Sequence, residues 1–154
     1  MSGFVAGGIT STAYPIGNDT FWPDIDGQQL RAAMRIDSSV TDARLEVATI
    51  NAMIEANREL AGYRAAQEAD GVDKLADVPA PKIKGESQLL HLYRRVIYCG
   101  ALAELIERYN SFDATNTGDQ KVTEEQSSPD QLRRDARKAL RTILGVSHAT
   151  VELL

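Results

Sequence analysis

The side chains that could do nucleophilic or soft-metal chemistry are few: His91, His148 and Cys99, in a chain of 154 residues. A metal site on a helix wants donors three or four residues apart, on one face. His91 has Glu86 and Glu104 as carboxylate candidates, and neither lies at such a spacing. No HExxH and no CxxC occurs. Cys99 as a nucleophile would need a base from elsewhere and something to hold its thiolate, and only His148 is left for that task. These residues therefore read as packing or surface groups. No catalytic residue, cofactor-binding residue or metal ligand is expected. GFVAGG, residues 3–8, lacks the strand and helix that make a phosphate loop, and TNTGDQK lacks EF-hand spacing.

Arg133, Arg134, Arg137, Lys138 and Arg141 form a basic helix face. Such a face could touch nucleic-acid phosphate, but no aromatic accompanies it. The whole chain carries 17 basic and 22 acidic residues, a net charge of −5 that disfavours a nucleic-acid clamp. A solvated face or cross-subunit ion pairs is the plainer reading. The single cysteine excludes an internal disulfide, and a reducing compartment is compatible. The first twenty residues hold no Lys or Arg and no apolar run of signal-peptide length. No segment approaches the ~20 apolar residues of a membrane span, so no membrane partner is expected.

The elements that must position these groups are helical. Residues 1–20 contain four glycines and show no periodicity, which reads as a flexible N-terminal arm. Asp26 is a candidate N-cap with Gln29 as its capping-box partner, opening a short helix over 27–36. Ser39 or Thr41 caps a long helix over 42–69. Ala43, Val47, Ile50, Ile54 and Ala61 trace its expected buried stripe, widened by Met53 and Leu60. At ~1.5 Å per residue it would span about 42 Å. Gly62 is an interior weak point, and Gly71 a stop signal. Pro79 and Pro81 make residues 72–87 an extended crossing, pinned by Leu75, Val78 and Ile83. A third helix over 86–109 carries apolar residues around most of its circumference, from Leu89, Leu90, Leu92 and Tyr93 to Leu105, Ile106 and Tyr109. It is the central core helix, or it also faces a second subunit. Ser128, Pro129 and Asp130 then start a last helix that ends at Gly145. Its buried stripe is Leu132, Ala136, Leu140, Ile143 and Leu144.

The expected fold is all-α: a four-helix bundle-like domain over 21–145 with two long central helices. A flexible arm (1–20) precedes it and an extended docking tail (146–154) follows it. No sheet is expected. Phe21 and Trp22, held extended by Pro23, read either as a hydrophobic staple over the first helix or as an aromatic anchor at a subunit interface. Val151, Leu153 and Leu154 are the candidate interface residues of the tail.

Four segments carry a resemblance. FWPDIDGQQLRAAMRI, LADVPA, KGES and ALAELIERYNSFDATNTGD resemble, in order and spacing, the head completion (GPL) family of Peduovirus-type tailed phages. The resemblance runs from Phe21 to Leu154, and the last helix departs from the tryptophan-bearing pattern of the family. It implies a structural virion protein of the head–tail neck, assembled in the host cytoplasm and without catalysis. Such adaptors form a dodecameric ring under the portal and join the filled head to the neck and tail-terminator protein, close to the genomic DNA. On that reading the tail docks on the portal by strand addition. The loop 110–128, with Asp113, Asp119, Glu124 and Glu125, lines the channel and repels DNA. Two alternatives stand beside it: a small DNA-binding regulator using Arg133–Arg141, and an enzyme using His91 or Cys99.

Overall fold

A 26-residue helix, α4 (Gln88–Asp113), is the axis of the molecule. It comes from a computed structural model that describes residues 12–113 and 127–145. Tyr93, Ile97, Ala101 and Ala103 are fully buried on α4, as its apolar circumference dictates. Two helices cover it. Helix α2 (Asp42–Glu59) runs antiparallel along one side, where Asn57 meets Tyr93, Ala52 meets Gly100 and Asn51 meets Glu104. Helix α5 (Pro129–Ile143) packs along another side. Gly100 lets α2 come close: a Cβ built there would lie 3.3 Å from that of Ala52. Ala48, Ala52 and Ala56 keep the facing side of α2 equally small.

The caps sit where their side-chain chemistry puts them. The Asp26 carboxylate accepts from the backbone N–H groups of Gln28 and Gln29 and starts α1 (Gly27–Ala33). Thr41 caps α2 and Ser128 caps α5, with Pro129 at the first turn. Helix α4 outlasts its expected end at Tyr109 and runs to Asp113. Extending an existing helix needs no new nucleus, so Asn110 and Ser111 do not stop it. Asp113 thus closes a helix and is not a loop residue. Among the described residues no helix is long and apolar enough to cross a membrane.

Four expectations change. The helix expected over 42–69 is two: α2 ends at Glu59 with Leu60 as its cap, and α3 (Ala61–Ala69) follows at once. Leu60 has φ −93 and ψ 6, outside the helical well, and is fully buried. Its side chain stays in the core at the break between the two helices.

The stripe expected to be buried on α2 is only partly so: Met53 and Leu60 are buried, but Val47, Ile50 and Ile54 are exposed, and Leu45, Ala48, Ala52 and Ala56 enter the core instead. Leu144 at the end of α5 is exposed as well, and Ala139 takes a core place.

Two small antiparallel ladders make the protein mainly rather than purely α. Strand β1 (Pro15–Ile16) pairs with β2 (Ile25–Asp26), and β3 (Lys82–Ile83) pairs with β4 (Glu86–Ser87). The second is a hairpin whose central residues Lys84 and Gly85 have φ 53 and 76. Positive φ at both central positions is the mark of a type I′ turn. Ile83 therefore sits at a hairpin tip, exposed, while Leu75 and Val78 are buried.

The described body reaches back past residue 21. Ile16 is buried, and Gly27 donates to the Tyr14 carbonyl at 2.8 Å. The rest of the expected arm, residues 1–11, lies outside the described residues, as do 114–126 and 146–154.

Candidate assembly surfaces

Trp22 and Phe21 are used inside the fold, with 4% and 1% of their surface exposed. Trp22 stacks on Tyr93 of α4 with centroids 5.0 Å apart and planes within 8°. Phe21 meets Trp22 edge-on at 4.7 Å, and Arg64 of α3 lies over the Phe21 ring. The Phe21 carbonyl accepts from Leu75 N–H at 2.9 Å. The pair therefore clips residues 14–26 to α3, α4 and the crossing segment. An exposed anchor at a subunit interface is not what these two rings form.

Beside them lies a closed polar cycle. Asn18 Nδ2 donates to Tyr93 Oη at 2.8 Å, and Tyr93 Oη donates to Asn57 Oδ1 at 2.6 Å. Asn57 Nδ2 then donates to Asn18 Oδ1 at 2.9 Å. Burial pushes the Tyr93 hydroxyl up to about 12, because a phenolate there would lose its water. The cycle joins the N-terminal segment, α2 and α4. Tyr14 adds a hydrogen bond to Glu46, and Asp19 pairs with Arg64 at 2.7 Å.

The reactive side chains are dispersed. His91 Nε2 faces the Ile83 carbonyl at 2.9 Å and lies 3.9 Å from Glu86, a carboxylate already held by Arg94. Glu104 projects from the other side of α4, toward Asn51. The hairpin brings His91 and Glu86 together, which their sequence spacing did not suggest. Cys99 is buried, and desolvation raises its thiol pKa, so the thiolate is disfavoured. His148 lies outside the described residues.

The basic helix face divides. Arg133 turns back and grips Glu107 of α4 through two bonds, of 2.6 and 3.1 Å, which lowers the glutamate's pKa. Arg134, Arg137, Lys138 and Arg141 are exposed along the outer face of α5. None of these four forms an ion pair among the described residues. Between α2, α4 and α5 lies a cavity of about 110 Å³, floored by Ala52, Ala56, Gly100 and Ala136 and rimmed by Glu59 and Arg137. Of the expected channel residues, Asp113 ends α4, and Asp119, Glu124 and Glu125 lie outside the described residues. So do Val151, Leu153 and Leu154.

What decides the family is the extent of a match. A family model described as phage head completion protein (GPL) matches residues 16–154, nearly the whole chain. The chain belongs to the phage head completion protein (GPL) family. Relatives agree with that membership. A head completion/stabilization protein of Escherichia phage P2 is 43% identical over 130 residues, covering 84% of this chain and 77% of that one. A probable head completion/stabilization protein of Haemophilus phage HP1 is 25% identical over 141 residues, covering 90% and 91%. No solved structure matches. The first residue of the GPL match, Ile16, is also the buried residue of β1, so the family region takes in Phe21, Trp22 and Tyr93.

Proposed function

We infer that this chain is a structural adaptor of the phage head vertex rather than an enzyme. It forms a dodecameric ring under the portal once DNA is packaged, joins the filled head to the neck and tail-terminator proteins, and helps retain and pass the genome. It is then a component of the virion neck, assembled in the host cytoplasm. The family match over residues 16–154 carries this reading, because head completion is the task its name describes. The test is an image of purified particles made with and without the chain. Loss of the neck and leakage of DNA in its absence are expected; intact, filled, tailed particles without it would overturn the reading.

Within this reading the tail, with Val151, Leu153 and Leu154, docks on the portal by adding a strand to an exposed edge. The segment with Asp119, Glu124 and Glu125 faces the channel, where its charge keeps phosphate from sticking. Assembly waits for the portal, because a template presents several sites at once and so raises the effective concentration of each contact.

A second reading, a small DNA-binding regulator, draws support from the outward Arg134, Arg137, Lys138 and Arg141. It calls for a salt-dependent shift of duplex DNA at nanomolar protein.

A further inference from the structure

Helix α5 carries its positive charge on one side. Arg134, Arg137, Lys138 and Arg141 follow one another at steps of three and four, so they form one row along the helix. Leu132, Ala139, Leu140 and Ile143 are its core side, and all four cations are exposed. At about 100° per residue, Arg134 and Arg141 stand roughly 160° to 180° round the helix from Ile143. Over Pro129–Ile143 five basic and two acidic residues leave a charge of +3, in a chain whose whole charge is −5.

The acids around the row are spent elsewhere or stand at its edge. Asp135 takes Arg95 at 3.5 Å and the Gln131 amide at 3.1 Å, and Glu107 takes Arg133. Glu55 and Glu59 line the cavity beside Arg137 without an ion pair to it. Asp130 opens the row from the first turn, where the helix dipole favours a carboxylate. Arg134 donates to the uncharged Gln131 side chain at 2.9 Å. Among the described residues, the charge of the row is left without a counter-charge.

What the row lacks decides what fits it. The core of a protein–protein contact is depleted in charge and built on apolar and aromatic side chains. This row holds no apolar side chain, and Leu144, the exposed aliphatic residue of α5, is the C-cap beyond its end. Nor does it hold an aromatic ring to stack on bases. The one amide beside it, Gln131, is occupied by Arg134 and Asp135. Guanidinium groups in a row suit phosphate oxygens, which position a duplex without reading its sequence. From Arg134 to Arg141 the helix rises about 10 Å. One DNA strand presents about three phosphates over that axial length.

We propose that the Arg134–Arg137–Lys138–Arg141 row of α5 holds the packaged duplex DNA by its phosphates, without regard to sequence. The identification rests on the adaptor reading, which brings the chain to the genome. It assigns the row to DNA retention in the filled particle and not to a regulator's operator. One row of four cations binds loosely by itself, in keeping with the acidic balance of the chain. Several copies round one duplex add their contacts through effective concentration. Each contact is exposed and screened by salt, so the hold weakens as ionic strength rises.

The test completes heads lacking the native chain with a full-length variant carrying Arg134→Gln, Arg137→Gln, Lys138→Gln and Arg141→Gln. All four side chains are exposed, so the variant should melt like the parent and enter heads equally well. The share of genome open to added nuclease should then rise by roughly tenfold or more, and leakage should depend less on salt than in parent particles. A variant carrying Arg134→Lys, Arg137→Lys and Arg141→Lys keeps the charge and should retain DNA like the parent. Should the fourfold variant melt early, the pair Arg134→Gln and Arg141→Gln takes its place, with a leak of about threefold expected. Retention equal to the parent in particles that contain the Gln variant would overturn the proposal while leaving the adaptor reading standing. A folded Gln variant that fails to enter heads would overturn it too, because the row would then dock on a protein. So would a leak from the Lys variant as large as that from the Gln variant. A sequence-specific shift of duplex DNA by the free chain at nanomolar concentration would overturn it in favour of the regulator. Failure of the unsubstituted chain to enter particles at all would strike the adaptor reading instead.

Discussion

At the scale of single residues, Tyr93 has the most to hold. Trp22 stacks on its ring, and its hydroxyl sits in the cycle with Asn18 and Asn57. Tyr93→Phe keeps the stack and removes the hydroxyl, leaving Asn57 Oδ1 without that donor. A loss of about 1–3 kcal/mol is expected in urea unfolding, with an unchanged slope. Trp22→Ala empties a buried ring site and should cost about 3–5 kcal/mol. Because Trp22 is the chain's one tryptophan, its fluorescence follows the clip directly.

The same hydroxyl sets a pH dependence. Its pKa is raised, chiefly by burial, from 10.0 to about 12. A raised folded-state pKa means stability that is complete below pH 10.0 and is lost as pH climbs toward about 12. Burial shifts Tyr63 and Tyr98 in the same direction. Thermal melts across that alkaline range should fall steeply for the parent chain and less steeply for Tyr93→Phe.

At the scale of elements, two glycines should respond in opposite directions. Gly62 lies in α3 with nothing near a Cβ built on it and no positive φ. Gly62→Ala should stabilise by about 0.5–1 kcal/mol, through helix propensity and a less free unfolded chain. Gly27 opens α1, and a Cβ there would meet Tyr14 Cδ1 at 2.7 Å. Gly27→Ala should destabilise, and amide exchange should quicken over residues 14–26 before it does in α4. The long helices and their caps were readable because caps are local chemistry: Asp26, Thr41 and Ser128 need only neighbours two or three residues away. The break at Leu60 was not readable from that residue, since Leu is a good helix former, although the weak point at Gly62 lies two residues on. The β1–β2 ladder was missed for a related reason: two-residue strands carry no periodicity.

At the scale of the whole molecule, the notable feature is what the body leaves outside. The sequence left α4 as the central core helix or one that also faces a neighbour; α2 and α5 cover it, and among the described residues the exposed large apolar side chains lie on α2, at Ile83 and at Leu144. A chain truncated before Ala149 should melt like the parent and lose portal binding in a pull-down. Retained binding would remove the docking role of Val151, Leu153 and Leu154. Reversing the charge of Asp119, Glu124 and Glu125 should slow DNA ejection from filled particles. An unchanged ejection rate would put that segment outside the channel. Sedimentation of the isolated protein at micromolar concentration should show a monomer, whereas a stable free dodecamer would contradict templated assembly.

Taken alone, the order of residues determined the helical class, most helix starts, the central place of α4 and the likeness to the GPL family, because capping, helical period and motif order are written in neighbouring residues. Only the tertiary structure decided which side of α2 goes inward. That helix offers two apolar rows, and periodicity alone does not rank them. Packing does: the row with Ala48, Ala52 and Ala56 is narrow enough to approach α4 at Gly100, whereas Val47, Ile50 and Ile54 would hold the helices apart. The bulkier row was left at the surface by that close approach.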